Sequence, residues 1–200
     1  FSNMSVNIVG GYKLKEIKNF IKNRNIKLFQ NPNYSNTNMY YSFLKAKSLF
    51  NQKKDLIIVY GDIIFKKKTI KKLIKNKNQI VISVDKSFKD YWSKRMKNPL
   101  DDLETLKIKD GLITELGKKP KSYKEVQGQY MGIIKISYRC FKIIKILIKK
   151  LNKNILNYKK IYFTDFIQYL IDNKIKVSPS FNYGSWQEFD KPIDFKINNF

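Results

Sequence analysis

The sequence predicts an α/β protein: a single Rossmann-like domain over residues 1–200, with a mostly parallel central sheet covered by helices and a small antiparallel β-hairpin insertion. Three observations carry this expectation. Short apolar runs of strand length alternate with stretches whose apolar residues recur at helical spacing, the order that builds parallel strands with crossover helices. Residues 56–59 and 80–84 are nearly continuous apolar runs, as strands covered on both faces require. Asp110-Gly111 separates two alternating segments, 105–108 and 112–116, which is a strong hairpin signal.

Taken in order, residues 6–9 read as a strand ending on Gly10-Gly11, and 14–21 as a helix. Residues 26–29 form the next strand. Beyond the turn-rich stretch 31–36, residues 38–50 carry apolar side chains at helical intervals, with Ser35 or Thr37 available as a cap. A short helix over 70–74 joins the strands 56–59 and 80–84. After the hairpin come a strand over 130–136, helices over 138–151 and 163–171, and a strand at 175–177 that leads through Pro179 to an extended segment, 183–189. No internal repeat or linker interrupts the chain, so one domain is expected.

Composition narrows the function. With 41 Lys and Arg against 16 Asp and Glu, the formal charge is +25, which draws anionic ligands such as nucleotides and phosphate esters. The positive charge is nearly all Lys and is spread along the chain, while Arg, the residue of bidentate base and phosphate recognition, is scarce. A solvated basic surface therefore explains the charge better than nucleic-acid binding. The chain has no histidine, which removes Ser-His-Asp hydrolysis and most zinc sites. Cys140 is the only cysteine, so there is no intrachain disulfide and a reducing, cytoplasmic setting is expected. In its apolar surroundings it reads as a buried thiol rather than a nucleophile. Lys interrupts every apolar run short of the roughly twenty residues a membrane span needs, and the amphipathic segment 141–151 reads as a helix packed on a sheet. Oligomeric state stays open, a homodimer included.

Because acidic residues are few, their positions carry information. Asp62 follows the apolar run ending in Tyr60-Gly61, at the carboxyl end of a buried strand, where open α/β sheets bind ligands. Gly61 would let a phosphate or sugar approach the backbone, although a turn or cap role for Asp62 has equal standing. Near the other end stand Trp186-Gln187-Glu188-Phe189-Asp190-Lys191-Pro192, with Asp194 beyond. In an extended segment Glu188 and Asp190 share a face, a costly pairing unless a cation or base lies between them. Asp190 is also placed to cap a helix opening at Lys191-Pro192. If Asp62 and Asp190 meet across the crevice, they make an all-oxygen site suited to Mg²⁺ completed by waters and substrate phosphates. Phosphoryl-type transfer needs positioning and charge neutralisation more than a protein nucleophile, so a histidine-free chain can perform it.

An ordered set of segments spans nearly the whole chain. It runs from Asn31-Pro32, Thr37-Asn38 and Ser42 to Tyr60-Gly61-Asp62-Ile63 and Val84-Asp85. Trp92-Ser93-Lys94-Arg95 and the stretch Asn98-Pro99-Leu100-Asp101-Asp102-Leu103-Glu104 come next, then Gly117-Lys118-Lys119-Pro120, Gly128-Gln129-Tyr130-Met131-Gly132 and Trp186-Gln187-Glu188-Phe189-Asp190. In this pattern the chain resembles the nucleotidyltransferase superfamily of GT-A-like α/β fold, in the branch of phosphocholine and aminoalkylphosphonate cytidylyltransferases. The resemblance implies transfer of a nucleoside monophosphate, CMP from CTP, onto a phosphorylated small molecule such as phosphocholine, a phosphonate, phosphoglutamine or a sugar phosphate. Products of such enzymes feed cell-surface polysaccharide decoration. It implies that Asp62 and Asp190 bind a catalytic Mg²⁺ with Glu188 in support, and that Gly61, Thr37 and Asn38 lie on the nucleotide side. Asp85, Trp92, Arg95, Asp102, Lys119, Gln129, Tyr130, Gly132 and Trp186 would line the acceptor pocket, with Arg95 and Lys119 as phosphate partners; for Trp92 and Tyr130 core packing is the equal alternative. The family opens with a glycine-rich loop and a downstream Lys that cradle the triphosphate, and no counterpart precedes Phe1. The expectation is a missing N-terminal segment and weak turnover by these 200 residues alone. The competing function is a non-catalytic basic protein that binds nucleotides or RNA. A glycosyltransferase would be expected to carry an Asp-x-Asp motif near a strand end, and none stands in such a place.

Overall fold

A computed structural model describes residues 4–197. The chain divides into two compact units, one of Phe1–Gln52 with Ile143–Phe166 and the other of Lys53–Lys142 with Ile167–Phe200.

In the first unit, β1 (Val6–Gly10) and β2 (Ile26–Gln30) pair in parallel through α1 (Leu14–Ile21), a βαβ step of the kind the alternating pattern predicts. Helix α2 (Met39–Lys45) is shorter than the periodicity implies. After Ala46 the chain tightens into a 3₁₀ turn, Lys47–Asn51, with Leu49 N–H donating to Ala46 O at 2.9 Å, which turns Leu49 and Phe50 into the core. Neither Ser35 nor Thr37 caps α2: Asn38 precedes it, and the Thr37 hydroxyl donates instead to Asn33 O at 2.8 Å. The core here is aromatic. Phe43 packs edge-on against Phe50 and Phe163, each with centroids 5.4 Å apart, and Tyr40 lies on Phe166. Tyr40 keeps its hydroxyl satisfied by donating to Asn152 Oδ1 at 2.8 Å, as a buried phenol must.

In the second unit a four-stranded sheet runs in the order β3 (Leu56–Val59), β8 (Gln129–Ile136), β5 (Ile80–Asp85), β9 (Val177–Asn182). β8 is antiparallel to both neighbours and β9 is parallel to β5, so three of the four strands point the same way. The strands β5 and β8 are buried throughout. Pro179 is tolerated inside β9 because β9 is the last strand in this order, where a missing N–H need not leave a ladder broken on both sides. The hairpin β6 (Leu106–Lys109) and β7 (Leu112–Leu116) turns at Asp110 and Gly111 with φ of 50° and 74°, the paired positive dihedrals that a two-residue turn demands.

Two elements escape the sequence pattern. β4 (Ile63–Phe65) pairs antiparallel with β10 (Trp186–Glu188), and three residues are too few to show a period. Helix α4 (Phe88–Arg95) buries Phe88, Tyr91 and Trp92 amid charged neighbours, which blurs its apolar stripe. Helix α3 (Lys67–Lys75) begins three residues earlier than its apolar signal, because its first turn reads Lys-Lys-Thr. Helix α5 (Phe141–Asn154) turns Phe141, Ile144, Leu147, Ile148 and Leu151 inward, as its amphipathic spacing implies, and α6 (Phe163–Asp172) comes after it.

The packing beneath α4 fixes the carboxyl ends of the strands. Phe88, Tyr91, Trp92, Leu103, Val126, Met131 and Trp186 form one buried cluster. Within it, Asp85 at the end of β5 is fully buried and accepts three N–H bonds at 2.9 Å, from Ser87, Gly184 and the Trp186 indole. Three donors on one carboxylate offset its lost hydration, which would otherwise make the position untenable. Trp186→Phe keeps an aromatic ring but removes one donor, so urea unfolding should show a loss of about 1–3 kcal/mol. At Gly132, where φ is 70°, an added Cβ would lie 2.8 Å from the Tyr60 ring. Gly132→Ala should therefore cost more than about 1 kcal/mol in the same measurement, since both backbone and neighbour must shift.

Candidate active site

Asp62 sits just beyond β3, where Tyr60-Gly61-Asp62 turns into β4, and Tyr60 N–H donates to Gly132 O at 3.0 Å. The β4–β10 pairing sets Ile63 opposite Glu188, and Phe189 N–H donates to Asp62 O at 2.8 Å. A short strand pair thus brings the two acidic segments together although they lie far apart in sequence. The Asp62 side chain faces solvent. Even so, loss of hydration raises its carboxyl pKa; its own backbone N–H opposes the rise, and the Asp190 charge adds to it. The Asp190 side chain is also exposed.

The cation that Glu188 and Asp190 call for is Arg95, at the end of α4. Its Nη1 pairs with Glu188 Oε1, its Nη2 with Asp190 Oδ2 at 2.8 Å, and its Nε with Asp194 Oδ1 at 3.0 Å. The guanidinium also lies 5.4 Å from the Tyr91 ring centroid and 5.3 Å from that of Trp92. Burial works against its charge, but the carboxylates, Asp194 foremost, outweigh that and raise its pKa. Burial likewise disfavours the Asp194 carboxylate, yet hydrogen bonds from Arg95 and from the Lys191 and Asp190 N–H groups hold its pKa below the usual range. Burial pushes the Glu188 carboxyl up to about 7; the Arg95 charge opposes this and the Asp190 charge reinforces it. Tyr91, one turn before Arg95, grips the same strand by donating to Glu188 O at 3.3 Å and accepting from Glu188 N–H at 2.9 Å.

Several expected roles change once the side chains are placed. Arg95 is occupied by three carboxylates and does not stand free as an acceptor phosphate partner. Asp190 does not cap the turn after it. Asp194 does so from within that turn, its Oδ2 accepting from Asp190 N–H at 2.9 Å and Lys191 N–H at 2.8 Å around the start of the 3₁₀ segment Pro192–Lys196. Trp92 and Trp186 are buried with centroids 5.9 Å apart, so both rings pack in the core rather than offer a stacking face. The Trp92 indole donates to Asp102 Oδ2 at 3.0 Å, which ties the end of the helix to the loop beyond it. Asp85 is likewise spent on its three N–H partners. Gln129 and Tyr130 are buried in β8, Tyr130 edge-on to Tyr60 with centroids 5.8 Å apart. Gly132 gives Tyr60 room, Gly61 has open space around its Cα, and exposed Lys119 donates to Asp101 O. Thr37 and Asn38 belong to the first unit. There Asn31 Nδ2 donates to Thr37 Oγ1 and Ser42 Oγ, both at 3.0 Å, and Asn38 Nδ2 donates to Lys160 O at 2.6 Å. Cys140 is buried, and burial pushes its thiol pKa up, which suits a structural thiol.

Sequence reasoning passed over Tyr91 and gave Asp194 no role. The available signals were faint: one of three Arg in a Lys-dominated chain, and an acid three residues after Lys191 at the start of a turn.

Among the described residues no group of three or more acidic, histidine or cysteine side chains is arranged to hold a metal ion by itself. The donor set of Asp62 and Asp190 still fits Mg²⁺, which takes one or two carboxylates and completes its shell with water and substrate phosphates. Burial foremost, and the Asp190 charge after it, raise the Asp62 carboxyl pKa, and a cation bound there would offset both. No helix of the described residues is long and apolar enough to cross a membrane.

Comparison with known proteins agrees with the fold. A family described as a domain of unknown function, DUF6564, matches residues 3–89. The fold is similar to that of the inositol-1-phosphate CTP transferase of T. maritima, with a TM-score of 0.68 and 15% identity over 97% of this chain and 71% of that one. It is also similar to a Bacillus anthracis protein provisionally assigned as a glucose-1-phosphate thymidylyltransferase, with a TM-score of 0.63 and 12% identity over 95% and 72% of the two chains. In sequence the chain is 38% identical over 199 residues to the CTP:phosphoglutamine cytidylyltransferase of Campylobacter jejuni, a match covering 95% of this chain and 79% of the relative. An identity of that level over nearly the full chain, on the fold the pattern predicts, makes this protein a member of the nucleotidyltransferase superfamily, in the family of that cytidylyltransferase.

Proposed function

We propose that the protein is a Mg²⁺-dependent cytidylyltransferase that moves CMP from CTP onto a phosphorylated small molecule, with phosphoglutamine the first acceptor to test, and releases pyrophosphate. The observation that carries this reading is the 38% identity to an enzyme of that name. The meeting of Asp62 with the Glu188–Asp190 segment supports it. Asp62 and Asp190 would hold the ion, and Mg²⁺ bound there would neutralise charge on the triphosphate as it reacts. An acceptor phosphate oxygen forms a bond to the α-phosphorus in line while the bond from that phosphorus to the pyrophosphate oxygen breaks. The phosphoryl or phosphonyl group of such an acceptor carries ionised oxygens near neutral pH, a phosphate monoester having a second pKa of about 6, so its oxygen attacks without a general base. A chain without histidine, whose one thiol is buried, is adequate for this chemistry. The many Lys residues raise the local concentration of anionic substrates without naming one. Such an enzyme works in the cytoplasm, where nucleoside triphosphates are available, and its product class serves cell-surface polysaccharide decoration.

The test is pyrophosphate release by the full-length protein with each of four nucleoside triphosphates and a panel including phosphoglutamine, phosphocholine, a phosphonate and sugar phosphates. CTP should be the preferred donor, and chelation of divalent metal should abolish turnover until Mg²⁺ is restored. Asp62→Asn and Asp190→Asn should each lower kcat by about 100-fold or more, the scale of losing one preorganised charge at the reacting centre. Full activity in both variants would refute the assignment.

A further inference from the structure

We infer that Arg95 is a positioning residue: anchored on α4, it sets the place of Asp190 opposite Asp62 and so tunes the metal affinity of the site, without touching either substrate. The inference rests on the cytidylyltransferase reading and on three features of the molecule.

The first is saturation. The Arg95 side chain is 3% exposed and its Nε, Nη1 and Nη2 are all bonded to carboxylates, with Asp194, 2% exposed, taking both Nε and Nη2. A guanidinium in that state has little left to offer an incoming phosphate, whereas its planar fork fixes the angle between its partners.

The second is the pattern of exposure along the acidic segment. Asp194 is buried, Glu188 is partly covered, and the Asp190 side chain, at 47% exposure, is the one that reaches solvent. Arg95 thus bonds the two more covered residues, Asp194 and Glu188, and extends one bond to the most exposed of the three. That is the arrangement of an outer support holding a metal-binding carboxylate by its second oxygen, and loss of such a partner typically costs 10–100-fold in metal affinity.

The third is redundancy of the anchor. Tyr91 holds Glu188 through two backbone hydrogen bonds from the same helix, and Asp194 holds the N–H groups of Asp190 and Lys191. The segment keeps its backbone path by these bonds, which leaves Arg95 to fix the Asp190 side chain. Substitution of Arg95 should therefore disturb the carboxylate more than the fold.

The experiment compares the full-length protein with Arg95→Ala, Arg95→Lys and Asp194→Asn. Mn²⁺ affinity in the presence of CTP is read by electron paramagnetic resonance, alongside kcat, the Mg²⁺ concentration for half-maximal rate, and KM for the acceptor. For Arg95→Ala, metal affinity and the Mg²⁺ requirement should each worsen by about 10–100-fold with acceptor KM nearly unchanged. Millimolar guanidinium should restore part of the loss, and tetramethylammonium should not. Arg95→Lys, a charge without the fork, should fall between. Asp194→Asn, which leaves Arg95 in place but loosens it, should show the same pattern more weakly and serves if Arg95→Ala fails to fold. A raised acceptor KM with unchanged Mn²⁺ affinity in a turnover-competent background would overturn the inference, assigning Arg95 to the acceptor and leaving the cytidylyltransferase reading intact. An unaltered protein that neither binds Mn²⁺ with CTP nor releases pyrophosphate would sink both.

Discussion

The acidic side chains at the edge of the second unit are arranged around one buried positive charge. Arg95 enters a space walled by Tyr91 and Trp92, and without its carboxylates that burial would be prohibitive. With them, the geometry of the guanidinium dictates where three acidic side chains must stand. Glu188, Asp190 and Asp194 lie within seven residues of one another, and the chain that carries them is held by the Tyr91 hydroxyl on Glu188 and by Asp194 on the Asp190 and Lys191 N–H groups. The strand β10, the loop to Pro192 and the turn beyond it all take their positions from a helix laid down almost a hundred residues earlier. A buried ion pair of this kind is a weak source of net stability, because desolvation consumes most of the attraction. Its contribution is a single allowed arrangement of acids that would otherwise repel one another.

A second buried charge, Asp85, works by the complementary route. It is held by three N–H donors, two from backbone and one from an indole, in place of a guanidinium. Together the two nodes divide the work at the carboxyl edge of the sheet. Asp85 joins the ends of β5 and β9 to the start of β10, and Arg95 joins α4 to the acidic loop after β10. Asp62 needs no such anchor, because the backbone bond to Phe189 and the β4–β10 pairing already hold its segment. The carboxylates proposed to hold the metal are thus exposed groups on anchored segments, which is how a small site keeps both rigidity and access.

Much of this was legible in the residues. The continuous apolar runs at 56–59 and 80–84, the Asp110-Gly111 turn and the period of 141–151 each gave the right element, because each is governed by local rules of burial or backbone dihedral. The place of Asp62 just after a strand was legible for the same reason, but the burial expected of that strand was not met: β3 is the end strand of its sheet, its residues are only partly covered and Val59 is exposed. The need for a cation between Glu188 and Asp190 arises from charge alone. The identity of that cation was hidden, since nothing in a one-dimensional pattern brings position 95 to position 190. The aromatic residues show the same limit. Trp92 and Trp186 carry both an apolar ring and a polar N–H, so type and spacing suit stacking and core packing equally; only the closure of Phe88, Leu103 and Val126 around them decides it. Length misled in the small elements, where β4 has three residues and α2 gives way to a 3₁₀ turn.

The Asp85 node has a dynamic consequence. Ser87, Gly184 and Trp186 hang from one carboxylate, so no one of them can open far without exposing a charge whose hydration the other two were replacing. The ends of β5 and β9 and the start of β10 should therefore open to solvent as one event, and the amide protons of Ser87 and Gly184 should exchange with a common opening free energy despite lying almost a hundred residues apart.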